Sequence, residues 1–260
     1  GENAPTGFLW SSIGLYQFHF RGQLERDFIA GGAHQRFSST VNAPVEFGDA
    51  VLALALEDNT TDSSPYAKTL TVSGTAGTVA AVFGNGYSNI GSSYMYRTGD
   101  SDFMVGGGDW YFSLWAKYPG TSITTTYAHH PLSWGTSTHY IRLYIDTDDS
   151  PTLQVVGASG TDTVEPNIDV ADGNWHHYVG KRDVTSGGPI ELWIDGVLVG
   201  TDASITYGSM GSQNAVYVGT YPASTGHFHG LIDDLTIGTD GSPNAEAIAK
   251  LHAEGRKKLA

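Results

Sequence analysis

The chain has 260 residues, with 40% hydrophobic and only 15% charged, yet 27 acidic side chains face 13 basic ones for a net charge of −14. That sign disfavours nucleic acid and anionic membrane surfaces, and no apolar run approaches the roughly 20 residues needed to cross a bilayer. Cysteine is absent, which removes disulfides, thiol nucleophiles and thiolate zinc ligands, and suggests a bacterial or viral source.

In chain order, residues 1–48 read as an N-terminal extension or arm, and 49–260 as the main domain. The opening "GENAPTGFLW" shows no leader pattern of basic then apolar residues. Within the extension, "GLYQFHFRGQ" alternates Tyr16, Phe18 and Phe20 against Leu15, Gln17 and His19, predicting a strand. "QLERDFIAGGAHQRF" is ambiguous, a short helical turn at most. Beyond it, turn signals such as "DGN", "SGG", "IDG" and "TDGSP" recur between short β-prone runs, the spacing of an all-β sandwich or barrel.

Three runs alternate cleanly. In "WYFSLWAK", Trp110, Phe112, Leu114 and Ala116 oppose Tyr111, Ser113, Trp115 and Lys117. In "YIRLYID", Ile141, Leu143 and Ile145 oppose Tyr140, Arg142 and Tyr144. In "IELWIDG", Ile190, Leu192 and Ile194 oppose Glu191 and Trp193. A period of two sends one set into a core and the other outward. In "DGNWHHYVGKRD", the same alternation requires one of His176 and His177 to face the core. "WIDGVLVG" predicts a hairpin with Asp195–Gly196 in a type I′ turn, which needs positive φ at both residues. "SPNAEAIAKLHAEGRKK" predicts one helix, with Ser242 as N-cap, Pro243 at N1 and Gly255 as its stop.

These segments fall in an order that resembles laminin-G-like domains. "VLALALEDNTTDSSPYAKTLTVSG" is similar to their opening strand and acidic loop, and "GGDWYFSLWAKYP" to a central strand. "DGNWHHYVGKRD" is similar to their Trp-His-His strand, and "IELWIDGVLVG" to the hairpin after it. "VYVGTYP", "GHFHGLIDDLTIG" and "EAIAKLHAEG" are similar to the closing strands and terminal helical turn. The likeness spans roughly residues 49–256. It implies a concanavalin A-like jelly roll: an all-β, two-sheet antiparallel sandwich with a short C-terminal helix. Two departures stand out: His227 and His229 in "HFHG", and Gly180 where a branched apolar residue is usual.

The resemblance also implies a structural calcium between the first acidic loop and a late acidic strand. The candidate ligands are Glu57, Asp58 and Asp62 of "EDNTTD" with Asp233 and Asp234 of "IDD". The alternative is a solvated loop in which Asp58 or Asp62 caps a turn. The "AHH" and "HFH" clusters lack the company of cysteine or helical i, i+4 spacing, so they read as surface loops rather than zinc sites.

Glycanases of this architecture carry a Glu-x-Asp-x-x-Glu run on one strand, which supplies both nucleophile and acid. No such run occurs here, and the chain reads as non-catalytic. The outward set Tyr111, Trp115, Tyr144 and Trp193, with Arg142, Lys117 and Glu191 beside it, predicts a platform for stacking and hydrogen-bonding a sugar. Two alternatives stay open: the extension covers this face, or a protein partner does. The domains it resembles occur in phage tail fibres, virion surface proteins and bacterial adhesins. The expected role is therefore attachment to a glycan or surface polymer at an extracellular surface or virion. The alternative is a phage decoration or tail component that contacts neighbouring subunits through its extension, with a homo-oligomer as an option.

Overall fold

The structure, a computed structural model, describes residues 50–56, 60–75, 77–89, 93–119, 129–211, 214–222 and 226–259. The strand and helical turn expected within 1–48, and the carboxylates of Glu57 and Asp58, lie outside the described residues. The described part is built from fifteen strands and one α-helix. They are β1 (Ala50–Leu54), β2 (Thr71–Ser73), β3 (Gly77–Ala81), β4 (Gly84–Asn89), β5 (Tyr94–Arg97), β6 (Trp110–Lys117), β7 (His129–Gly135) and β8 (Tyr140–Ile145). There follow β9 (Pro151–Val156), β10 (Thr161–Val164), β11 (Trp175–Arg182), β12 (Ile190–Ile194), β13 (Val197–Asp202), β14 (Val216–Val218), β15 (Gly230–Gly238) and α1 (Ala245–Leu259).

The strands form two antiparallel sheets. The first runs β13-β12-β11-β6-β15-β4-β3, with β1 also paired to β15. The second runs β10-β9-β8-β7-β14-β5-β2. The core lies between them and takes the inward sets read from the sequence: Trp110, Phe112, Leu114 and Ala116 of β6, Ile141, Leu143 and Ile145 of β8, and Ile190, Leu192 and Ile194 of β12. Trp134 of β7 meets Trp110 edge-on across this core, at 6.5 Å between centroids. Gly180 is explained here. It pairs with Phe112 across β11 and β6, and a Cβ at Gly180 would sit 2.2 Å from the Phe112 ring. The ring takes the volume that a branched side chain would otherwise fill. The β12–β13 turn has φ of 52° at Asp195 and 80° at Gly196, as a type I′ turn requires.

Two helix expectations are corrected. The cap is Asn244, whose Oδ1 accepts from the Ala247 N–H at 2.9 Å, so α1 starts two residues later than Ser242–Pro243 suggested. Gly255 does not stop the helix; it lies inside α1 and is buried. A Cβ there would fall 2.2 Å from Trp115 Cζ2, so Gly255 lets the helix backbone approach the sheet. The helix continues because Arg256, Lys257 and Lys258 favour helix and suit its negative end, while Leu259 packs with Trp115, Trp175, Val82 and Phe83.

The histidine expectation is also refined. His176 points to the inner side at the rim. It is held by Asp195 (Nδ1 to Oδ2, 2.8 Å) and Asp172 (Nε2 to Oδ1, 3.1 Å). Burial alone would lower its pKa, but these two carboxylates raise it above the usual imidazole value. The fully buried ring is that of His177, on the opposite face beneath α1. Its Nε2 lies 2.9 Å from Ser113 Oγ, and it stacks on Trp115 at 5.1 Å. The imidazole thus bridges neighbouring strands of one sheet rather than the two sheets.

Candidate functional site

The five residues expected to make one platform are divided by the topology. Tyr111, Trp115 and Trp193 belong to β6 and β12 of the first sheet, whereas Arg142 and Tyr144 belong to β8 of the second. Each points away from the shared core, so the two groups face opposite sides of the sandwich. Alternation separates inside from outside, but it does not assign a strand to a sheet.

The first sheet's outer face is closed over Tyr111 and Trp115. Trp115 is fully buried, stacked on His177 and, at 5.5 Å, on His252 of α1. Tyr111 is fully buried against Gly238. Lys181 Nζ donates to the Pro243 carbonyl at 2.9 Å, tying the helix approach to the sheet. Trp193 is half-buried and donates from Nε1 to Glu191 Oε2 at 2.8 Å. Tyr111 and Trp115 therefore serve packing, and neither surface is offered to a ligand.

The second sheet's outer face carries a larger group of half-buried rings. Its register sets Thr163, Gln154, Arg142, Ser133, Tyr217, Tyr96 and Thr71 in one row across seven strands. At one end Tyr96 stacks with Tyr217 (6.1 Å, 15°), Tyr94 tilts against Tyr96 (5.7 Å), and His227 stacks on Tyr94 (6.0 Å, 20°). These four rings are half-buried.

Toward the other end, Arg142 is caged by phenols. Its Cζ lies 4.8, 4.6 and 5.1 Å from the rings of Tyr140, Tyr144 and Tyr221. Such placements are cation–π contacts. Nη2 donates to Gln154 Oε1 at 2.7 Å, and Nη1 donates to His130 Nε2 at 3.3 Å. Because an arginine offers only donors, His130 Nε2 must accept, and the ring proton then sits on Nδ1, which donates to the Gly226 carbonyl at 3.1 Å. Tyr140 also donates to Gln154 Oε1 at 3.1 Å.

Protonation leaves the rings of this face neutral. Burial raises the Tyr144 pKa; the Arg142 charge opposes that, while Asp146 and Glu165 add to it. Burial, then the adjoining tyrosines, raise Tyr217 and Tyr221, and burial with His229 lowers His227. Near neutral pH these groups are uncharged, and the guanidinium of Arg142 is the cation among them.

Tyr94, Tyr96, Tyr217 and Tyr221 were not singled out from the sequence. "YMYR" and "VYV" carried the signal, since each Tyr neighbours an apolar residue that enters the core. The first histidine cluster is not a plain surface loop, whereas His227 and His229 precede β15 in a loop with His229 exposed. His129 and His130 are buried on β7, and His129 meets Tyr118 and His229 edge-on at 5.3 Å each. Aromatic packing draws them in.

Of the five expected calcium ligands, Asp62, Asp233 and Asp234 lie among the described residues. Asp62 is buried, and its oxygens accept from Ala53 N (2.8 Å), Ser64 N (2.8 Å), Ser64 Oγ (2.6 Å) and Lys68 N (2.6 Å). Those four bonds use the four lone-pair sites of a carboxylate, so Asp62 organises its loop in the capping role. Asp233 Oδ2 accepts from Phe83 N at 2.8 Å, and Asp234 sits at a bulge with φ 52°. Among the described residues, no group of three or more His, Asp or Glu side chains could hold a metal ion.

Comparison with known proteins adds the family context. A family model described as the concanavalin A-like lectin/glucanases superfamily matches residues 91–248. Domain 4 of AbnA, a GH43 extracellular arabinanase from Geobacillus stearothermophilus solved with arabinotriose, superposes with a TM-score of 0.64 at 19% identity, over 78% of this chain and 98% of that domain. The botulinum neurotoxin serotype G binding domain gives 0.63 at 14% identity over 78% of this chain, and the Paraclostridial mosquitocidal protein 1 binding domain gives 0.65 at 12% over 78%. The matched parts span 50% and 52% of those two chains. At these identities the likeness is one of fold. No curated protein sequence matches the chain.

Proposed function

Since the chain belongs to the concanavalin A-like lectin/glucanase superfamily, we propose that it is a non-catalytic glycan-binding module whose site is the outer face of the second sheet. One observation carries this reading: half-buried rings of Tyr96 and Tyr217 lie in register with hydrogen-bonding groups of Arg142 and Gln154, and Tyr94 packs against Tyr96. Sugar C–H faces stack on such rings, and hydroxyls need donors and acceptors at fixed places beside them. Strands repeat at about 4.8 Å, so the span from Arg142 to Tyr96, three strand spacings, is about 14 Å. That length suits an oligosaccharide lying across the strands rather than one sugar unit.

The non-catalytic reading has its own support. The neighbouring arabinanase domain was solved with arabinotriose, and the toxin relatives are binding domains, which agrees with a recognition role. An extracellular or surface setting fits the cysteine-free, acidic chain, and a virion or bacterial adhesin is the finer form of that reading. No helix among the described residues is long and apolar enough to cross a membrane.

The test is retention on a glycan array. Tyr96→Ala and Tyr217→Ala each remove a stacking ring and are expected to weaken binding at least fivefold with the unfolding midpoint little changed. Retention equal to wild type for both variants refutes this face as the site.

A further inference from the structure

We infer that the cage around Arg142 is an oxyanion subsite, so that the glycan carried on this face bears an acidic substituent, a carboxylate or a sulfate ester. The inference rests on the glycan-binding reading above and adds the ligand's charge to it.

Among the described residues, no carboxylate pairs with Arg142, although the chain is rich in acids, with 27 of them. Several other half-buried or buried cations have carboxylate partners, although Lys117 and Arg182, also half-buried, have none among the described residues. Lys68 pairs with Asp100 (2.7 Å) and Asp102 (2.6 Å), Arg97 with Asp100 (2.7 Å), and Lys181 with Glu191 (3.6 Å). Arg182 bonds the carbonyls of Gly188 and Gly107 and the Tyr207 hydroxyl, all oxygen acceptors. Arg142 instead has one amide oxygen and one neutral imidazole nitrogen. Asp146 and Glu165 act on the neighbouring Tyr144, yet neither makes an ion pair with the guanidinium.

The donor count points the same way. A guanidinium has five N–H groups, and two are used here. Among the described residues Nε has no hydrogen-bond partner, and each Nη keeps one proton. Two such Nη protons present the fork that a planar carboxylate or a sulfate oxygen pair accepts. Beside Arg142 in the row, Ser133 is fully buried, and its Oγ has no hydrogen-bond partner among the described residues. Three phenol rings and two hydrogen bonds hold the guanidinium in place, so little ordering remains for a ligand to impose. Neutral surroundings also strengthen the ion pair relative to open water.

The experiment measures binding of the full chain to two matched polymer pairs: polygalacturonate against its fully methyl-esterified form, and carrageenan against agarose. Wild type is expected to bind the acidic member of at least one pair tenfold or more tightly. The pair showing the preference identifies carboxylate or sulfate. Arg142→Gln is expected to abolish that preference, so that the acidic and neutral members of the pair bind within twofold of each other; a variant that keeps the wild-type preference overturns the inference. Equal wild-type affinity within both pairs overturns the inference, and that comparison requires no variant to fold. In that outcome, weakening of all four polymers by Tyr96→Ala leaves the glycan reading standing and removes only the acidic substituent. Binding to none of the polymers, nor to any neutral glycan on the array, removes both.

Discussion

Gly255→Ala is the sharpest probe of how α1 is docked. In an exposed helix interior, this change stabilises by about 1 kcal/mol, because glycine gives up more backbone freedom on folding. Here the added Cβ would meet Trp115 at 2.2 Å (Cζ2), 2.7 Å (Cε2) and 3.0 Å (Cη2). The indole cannot swing aside, being fully buried between His177 and His252, with stacking distances of 5.1 and 5.5 Å. Overpacking of this kind costs about 1–3 kcal/mol and exceeds the propensity gain, so net destabilisation is expected. Trp115→Ala alone should lose about 3–5 kcal/mol. In that background the clash is gone, and adding Gly255→Ala should now stabilise by about 1 kcal/mol. The change of sign is the prediction, a coupling that a double-mutant cycle reads directly. Urea unfolding followed by far-UV circular dichroism gives the four stabilities, provided the m-value stays constant. A stabilising Gly255→Ala in the otherwise natural chain would refute the close approach of helix and indole.

Two further predictions concern buried titratable groups. Burial, with the His229 charge adding to it, lowers His129 to about 4. The folded state then resists a proton that the unfolded chain accepts near 6.5, so stability falls as pH drops from about 6.5 to about 4, by up to ~3 kcal/mol. His129→Phe should remove most of that part of the slope, checked by urea midpoints at pH 7.5 and 4.5; an unchanged difference between the two would count against it. Lys68, almost fully buried, bonds Asp100 and Asp102 and lies 5.5 Å over the Phe103 ring. Lys68→Met leaves Asp100 with Arg97 alone and should cost about 3 kcal/mol, whereas a loss below about 1 kcal/mol would mean the pair contributes little beyond its desolvation cost.

Much of the architecture was legible from residue order. Period-two alternation marked β6, β8 and β12 and sorted their core residues correctly, because side chains on a strand must alternate between faces. Asp195–Gly196 announced its turn, because few residue pairs tolerate two positive φ values. Other features depended on partners far away in the chain. Trp115 and Arg142 look alike as outward residues on alternating strands; only sheet assignment and the docking of α1 bury the first and leave the second half-exposed. Gly255 reads as a helix stop until the indole that occupies its missing side-chain volume is seen. The Arg142 cage joins β8 to Tyr221, Gln154 and His130, and Tyr217 meets Tyr96 across 121 positions of sequence. Local pattern fixes which side of a strand is dry, since that choice is made by neighbours one or two residues away. Which outer face meets a ligand is set by long-range strand pairing and by what packs on each sheet, and these contacts exist only once the chain has closed on itself.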